Sequence, residues 1–287
     1  MKTSVQLKAL IRNLSKETGI EAEVILRRFM LERFLERVSV SSFRNRFILK
    51  GGVLVSAMLG VDTRTIMDLD ATITSVPLNE SDTEQMLTEI LGVRVDDNVI
   101  LAIAGIEQIR DEADYPGFRV SIRAVFDRTR QIYKVDLTTG DLPSTGAVNY
   151  GYRLMFEERE ISLLAYSVES VLAEKFETTV SRGTTNTRMR DIYDIYMLTS
   201  TYPYDTEVFC SELDRTCRIR GTTIQMQRVL EIVQTIAISE IMIGLWRSYQ
   251  RRYDYAADVS WDGAVKALYL LADTQRLTRK RHIQPIQ

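Results

Sequence analysis

The chain has 287 residues, 45% of them hydrophobic, enough for a sizeable core and for two domains. Its 37 basic and 39 acidic residues leave a net charge of -2, so overall charge selects neither nucleic acid nor an acidic membrane as partner and leaves that to local patches. Two cysteines, Cys210 and Cys217, have no histidine near them, which excludes a disulfide framework or a zinc site, and a single histidine, His282, argues against catalysis built on a histidine base.

Met1 to Leu14 mixes charged and polar residues without a signal-peptide pattern. No apolar run reaches the roughly 20 residues of a membrane span; the longest, near Ile232 to Leu245, is interrupted by Gln234 and Glu240. The expectation is a cytoplasmic protein with reduced thiols and no membrane partner.

From Val5 to Val38 the pattern is helical, with Ile25, Phe29, Phe34, Leu35 and Val38 recurring among Arg and Glu. Leu14 to Ile20 ahead of a helix has the outline of a helix-turn-helix, but a small helical cap that turns at Gly19 is the simpler reading. The expectation for residues 1–45 is a helical segment.

The most informative stretch follows. An apolar strand, Phe47-Ile48-Leu49, meets Lys50-Gly51-Gly52, then a helix, then Arg64-Thr65 and a strand carrying Asp68-Leu69-Asp70. Successive side chains of a strand alternate faces, so Asp68 and Asp70 point the same way. Neighbouring carboxylates repel unless a cation sits between them. A glycine turn entering a helix presents bare N–H groups that suit a phosphate. Cation and phosphate cradle together are what phosphoryl or nucleotidyl transfer needs.

Further strands are predicted over Val99 to Ile109, Phe118 to Phe126 and Ile132 to Leu137, punctuated by Tyr115-Pro116-Gly117. In the last of these, Asp136 lies on the less apolar face. Residues 46–165 are therefore expected to form a mixed-sheet core.

After Ser167 the pattern is helical to the end, apart from loops near Ser200 to Asp205 and Tyr253 to Trp261. Residues 166–287 are expected to form a helical domain, which makes the fold class α+β. Ser167 is the expected N-cap of a helix running to about Ser181. On its wheel Lys175 falls among Val168, Val171, Leu172 and Thr179, where an unpaired ammonium is costly. It snorkels to the edge of the core or reaches an anion. The next helix runs through Arg190-Asp191-Ile192-Tyr193-Asp194, with Asp191 near the apolar face and Asp194 further round. Asp191 and Lys175 are either each other's partner or members of the same site as Asp68 and Asp70.

Together these segments resemble the AbiEii/AbiGii toxin family of nucleotidyltransferases, related to the DNA polymerase β superfamily. The resemblance runs through Met30 to Arg37, Phe47 to Gly52, Arg64 to Asp70, Tyr133 to Asp141, Ala173 to Glu177 and Asn186 to Leu198. A lone glycine pair or a lone Asp-x-Asp is weak; their order together is specific. The resemblance implies that Asp68 and Asp70 bind Mg²⁺ (or Mn²⁺) carrying a nucleoside triphosphate. It implies that Gly51 and Gly52 hold phosphate through backbone N–H groups, that Lys175 contacts the triphosphate, and that Asp191 completes the catalytic set. Arg64 would neutralise phosphate charge, and Asp136 takes the place of a third carboxylate, a metal ligand or base. Two departures stand out: the segment Val53 to Met67 is long for the superfamily, and the turn is Gly-Gly where many members have Gly-Ser. The family further implies a toxin paired with a separate antitoxin, typically a winged-helix protein. A tRNA 3′ end is one known acceptor, and Arg182, Arg188, Arg190, Arg251 and Arg252 are residues that would meet it. The alternatives are a catalytically inactive nucleotide- or nucleic-acid-binding protein, and a metal-dependent kinase or nuclease on the same carboxylates. The base preference, any role in phage defence and the role of residues after about Thr223 stay open.

Overall fold

Alternating apolar and polar residues build one seven-stranded mixed sheet, and 3.6-residue periodicity builds the helices around it. The computed structural model describes residues 3–60, 68–74, 79–109, 117–139, 143 and 146–283, the side chains of 279–283 excepted. The elements run α1 (Ser4–Thr18), α2 (Ala22–Val40), β1 (Phe47–Lys50), α3 (Gly51–Leu59), β2 (Asp68–Ile73), α4 (Glu80–Leu91), β3 (Val99–Ile109), β4 (Gly117–Phe126), β5 (Thr129–Thr138), β6 (Val148–Arg153) and β7 (Glu160–Ala165). They continue with α5 (Val168–Arg182), α6 (Met189–Thr201), α7 (Thr206–Arg220), α8 (Thr223–Gln227), α9 (Val229–Ile238), α10 (Glu240–Arg252) and α11 (Trp261–Ile283). The fold is α+β. The chain divides into two compact units, Met1–Leu142 with Ala147–Tyr166, and Pro143–Gly146 with Ser167–Gln287.

In the first unit the strand order is β3-β4-β5-β2-β1-β7-β6. β2 runs parallel to β5 and β1 parallel to β7, while the other neighbours are antiparallel. Cross-strand partners share a face, so the register sorts the side chains. One face carries Leu49, Ala71, Leu137 and Phe118 in one row and Leu69, Val135 and Val120 in the next, all buried. The other face carries Lys50, Asp68, Asp70, Asp136 and Arg119. α2 covers the apolar face: Phe34 meets Phe47 edge-on at 5.8 Å and Phe29 lies 6.3 Å from Phe126. β7 was not anticipated, although its buried Ile161, Leu163 and Ala165 alternate with Glu160 and Ser162.

α1 and α2 form separate helices. Thr3 caps the first, and Gly19 ends it at φ +74°, a left-handed conformation natural to glycine. α2 departs from the sequence pattern, in which its Arg and Glu residues read as the polar background to an apolar stripe. Glu32, Arg33, Glu36 and Arg37 are all buried. Arg33 pairs with Glu36 and with Glu157 at 2.7 Å and lies over the Phe29 ring. Arg37 grips Asp97 through both terminal nitrogens, at 2.6 and 3.0 Å, and donates to the Val99 carbonyl. The helix is enclosed because the segment around Met155 to Arg159 and the start of β3 close over its outer side with complementary charge.

In the second unit Ser167 caps α5 by accepting from the Ser170 N–H, and Phe176 of α5 meets Phe209 of α7 edge-on at 6.1 Å. Trp246 is buried against Trp261, and their ring N–H groups donate to the carbonyls of Val259 and Ala237. Among the described residues no single helix is long and apolar enough to cross a membrane; the apolar run through Ile232 to Leu245 breaks at Ser239, where α9 and α10 meet at 65°. Cys210 and Cys217 are buried and are not joined in a disulfide.

Burial of the Glu32 carboxyl pushes its pKa up to about 7 from 4.5, against the lowering pull of Arg28 and the Met155 N–H. The folded chain thus holds this proton more tightly than the unfolded one. Its contribution to stability is fully present below pH 4.5 and is lost as pH rises through about 7. Glu32→Gln, which keeps an acceptor for the Met155 N–H, is expected to remove this loss, worth roughly 3 kcal/mol by pH 8. Urea unfolding of wild type and variant at pH 5 and pH 8 measures it, and parallel pH dependences would contradict the expectation.

Candidate active site

The site in the first unit is built where β1 turns into α3. Lys50 is extended at φ -143°, and its side chain makes no capping bond to the helix, so the first-turn N–H groups of α3 are left to other acceptors. Gly51 takes φ +70°. A β-carbon there would lie 2.7 Å from the Asp70 β-carbon and overlap its carboxylate, so glycine is required twice over, by conformation and by space. At Gly52 a β-carbon would meet nothing within 4 Å, so the backbone there is open.

One register row then crosses five strands of the sheet. Glu107 pairs with Arg119, Arg119 with Asp136, Asp136 with Asp70, and Asp70 with Lys50. Two carboxylates thus stand side by side in the parallel β2–β5 pair, with a cation on either flank. Asp68 lies on the same face one step along, opposite the exposed Lys134. Asp68 and Asp70 are each partly exposed. Arg119 forks onto Asp136, with Nε 2.8 Å from Oδ1 and Nη2 2.7 Å from Oδ2. That hydrogen-bonded carboxylate, and then the charges of Asp68 and Glu107, raise the guanidinium pKa further above its ordinary value against a smaller desolvation effect. The Lys50 ammonium lies 5.4 Å from the ring centre of Tyr166, whose hydroxyl meets Thr72 Oγ1 at 3.0 Å.

The sequence-predicted residues Gly51, Gly52, Asp68, Asp70 and Asp136 therefore come together. Arg64 and Asp141 lie outside the described residues. Among those described, no group of three or more His, Cys, Asp or Glu side chains is arranged to hold a metal ion. Two carboxylates and an open phosphate cradle still fit Mg²⁺, which is commonly held by one or two carboxylates with substrate phosphates supplying other ligands. Sequence reasoning missed Arg119. Its place on the polar face of a strand was legible, but its partner is set by strand register.

In the second unit Lys175 and Asp191 are indeed each other's partner. Lys175 Nζ lies 2.7 Å from Asp191 Oδ1 and 2.8 Å from Asp194 Oδ2, and Arg188 Nε lies 2.7 Å from Asp191 Oδ2. Burial alone would depress the Lys175 pKa, but Asp191 and Asp194 outweigh it and raise the value, so the ammonium stays charged. Asp194, which the wheel puts further round, is fully buried, because Lys175 reaches in to meet it.

A family model described as the nucleotidyl transferase AbiEii toxin of type IV toxin–antitoxin systems matches residues 33–267. The chain belongs to this AbiEii family. It is accordingly a nucleotidyltransferase and the toxin component of a toxin–antitoxin pair, which implies an antitoxin partner and a nucleoside triphosphate substrate. No curated protein matches it by sequence. Among solved structures, JHP933 from Helicobacter pylori is similar over 92% of this chain and 96% of its own, at 13% identity and a TM-score of 0.51, which supports the fold. A candidate nucleotidyltransferase from H. pylori (11% identity, TM-score 0.47, 91% and 98% covered) and an antigenic nucleotidyltransferase-like protein from Paracoccidioides brasiliensis (14%, 0.36, 77% and 91%) are more distant.

Two consequences for this AbiEii chain can be measured. Gly51→Ala is expected to lower stability by at least about 2 kcal/mol, from left-handed strain and displacement of Asp70, while Gly52→Ala stays close to wild type in urea unfolding. Lys175→Met removes the ammonium that two buried carboxylates share, leaving Arg188 on Asp191, and is expected to destabilise the second unit by roughly 3–5 kcal/mol. Adding Asp194→Asn to Lys175→Met should recover part of that loss, and a double variant no more stable than the single one would refute the pairing as the cause.

Proposed function

We propose that this AbiEii enzyme transfers a nucleoside monophosphate from a nucleoside triphosphate to a hydroxyl of an RNA acceptor, a tRNA 3′ end, using Mg²⁺, with Mn²⁺ able to replace it. The observation that carries the reading is the meeting of Asp68 and Asp70 on one face of β2 with the open Gly51-Gly52 turn against the Asp70 carboxylate.

Asp68 and Asp70 would hold the cation. When bound, it supplies Lewis-acid polarisation of the α-phosphate and neutralises the departing pyrophosphate. The N–H groups at the start of α3 donate to phosphate oxygens and keep the triphosphate oriented. Arg64 adds positive charge to the same phosphates. Lys175, kept charged and fixed by Asp191 and Asp194, is the second functional cation, and Asp191 is the residue that aims it. The exposed Arg182, Arg188, Arg251 and Arg252 offer cations to an RNA backbone. The antitoxin is a separate winged-helix chain, and the setting is the cytoplasm.

The test incubates the protein with each α-labelled nucleoside triphosphate, Mg²⁺ and total tRNA, and follows label into RNA and release of pyrophosphate. Asp68→Asn and Asp70→Asn are expected to lower transfer by about 10²-fold or more with unchanged unfolding midpoints. Nucleoside diphosphate as product, or full transfer by both variants, would sink the reading.

A further inference from the structure

The AbiEii site presents three carboxylates on the polar face of β2 and β5, and Asp136 among them is forked by an arginine. Asp136 is held by both arms of the Arg119 guanidinium, at 2.8 and 2.7 Å, with Arg119 directly opposite it in the β4–β5 register. A fork of this kind takes one in-plane lone pair on each carboxylate oxygen, closing the edge on which a metal ion would chelate, and sets a fixed positive charge against any cation approaching the remaining lone pairs. On its other side the cross-strand neighbour of Arg119 is Glu107, whose charge favours the guanidinium without a contact to it. Asp68 and Asp70 stand on the neighbouring strand, partly exposed and on the same face.

We propose that Arg119 takes the place of a second metal ion, neutralising Asp136 as a positioned carboxylate that binds no metal, so that this site takes one divalent cation, on Asp68 and Asp70. The inference rests on the proposed metal role of those two residues. Arg119 is a positioning residue: it removes the repulsion that Asp136 would otherwise exert on Asp70 next to it. Its remaining N–H groups stay free to donate, because a guanidinium offers five and the fork uses two. A fixed positive charge in the site has a cost that a second ion lacks, since it cannot leave with the product. It also has an advantage, since it is present at every metal concentration.

The experiment uses the full chain, a non-hydrolysable nucleoside triphosphate and Mn²⁺, with free Mn²⁺ counted by electron paramagnetic resonance. Wild type should bind one Mn²⁺ per chain. Asp70→Asn should weaken it by about tenfold or more, and Asp136→Asn by less than about threefold. Arg119→Gln, which unmasks Asp136, should add a second Mn²⁺, and Arg119→Lys, which keeps the charge, should keep the count at one. The Lys variant and the Asp136 variant decide the matter even if Arg119→Gln fails to fold. Loss of Mn²⁺ binding in Asp136→Asn equal to that in Asp70→Asn would overturn the inference, as would two Mn²⁺ in wild type. If neither Asp68→Asn nor Asp70→Asn alters Mn²⁺ binding, the metal reading itself fails, an outcome distinct from the other two.

Discussion

Repulsion between two carboxylates placed side by side governs the functional face of the first unit. Parallel pairing of β2 with β5 sets Asp70 against Asp136, and Asp68 lies one step along on the same face. Like charges across a strand pair are destabilising, so the row is tolerable only because cations flank it. Lys50 closes one end and Arg119 the other, with Glu107 beyond. The same arrangement leaves Asp68 and Asp70 partly exposed beside an open glycine turn, where the proposed cation would sit. A folding constraint and the proposed functional site are here one set of residues.

The apolar side of the sheet makes this possible. The opposite face is buried throughout β2 and β4 and from Tyr133 to Leu137 of β5, and α2 lies over it, so register is strongly specified: a one-residue slip would bury Asp68, Asp70 and Asp136 together. α2 in turn is enclosed on its outer side by an ion network in which Arg33 and Arg37 each have acidic partners and Glu32 does not fully compensate its own burial. Replacing one partner of such a network is far more damaging than never having built it.

The second unit solves a similar problem in another way. Lys175 projects into the space between α5 and α6, where one ammonium serves Asp191 and Asp194 and Arg188 takes the remaining face of Asp191. Any loss of transfer on changing Lys175 therefore contains a structural part. Unfolding measurements belong beside the kinetics for this residue, whereas Asp68 and Asp70, being partly exposed, offer cleaner substitutions.

Local chemistry was readable from the chain alone. Alternation placed Asp68 and Asp70 on one face, glycines marked the β1–α3 turn, Ser167 marked the start of α5, and the order of these segments pointed to the AbiEii family and the α+β class. Each depends on neighbours a few residues away. What lay beyond reach was pairing at a distance. That Asp136 belongs to Arg119, that Gly51 must make room for Asp70, and that the charged residues of α2 are buried depend on strand register and on chain far removed in sequence closing over a helix. Composition cannot show them, because a charged residue on a helix or strand looks the same whether water or a buried partner of opposite sign stands against it. Only tertiary structure decides which it is, and at Asp136 that decision sets how the site is to be read.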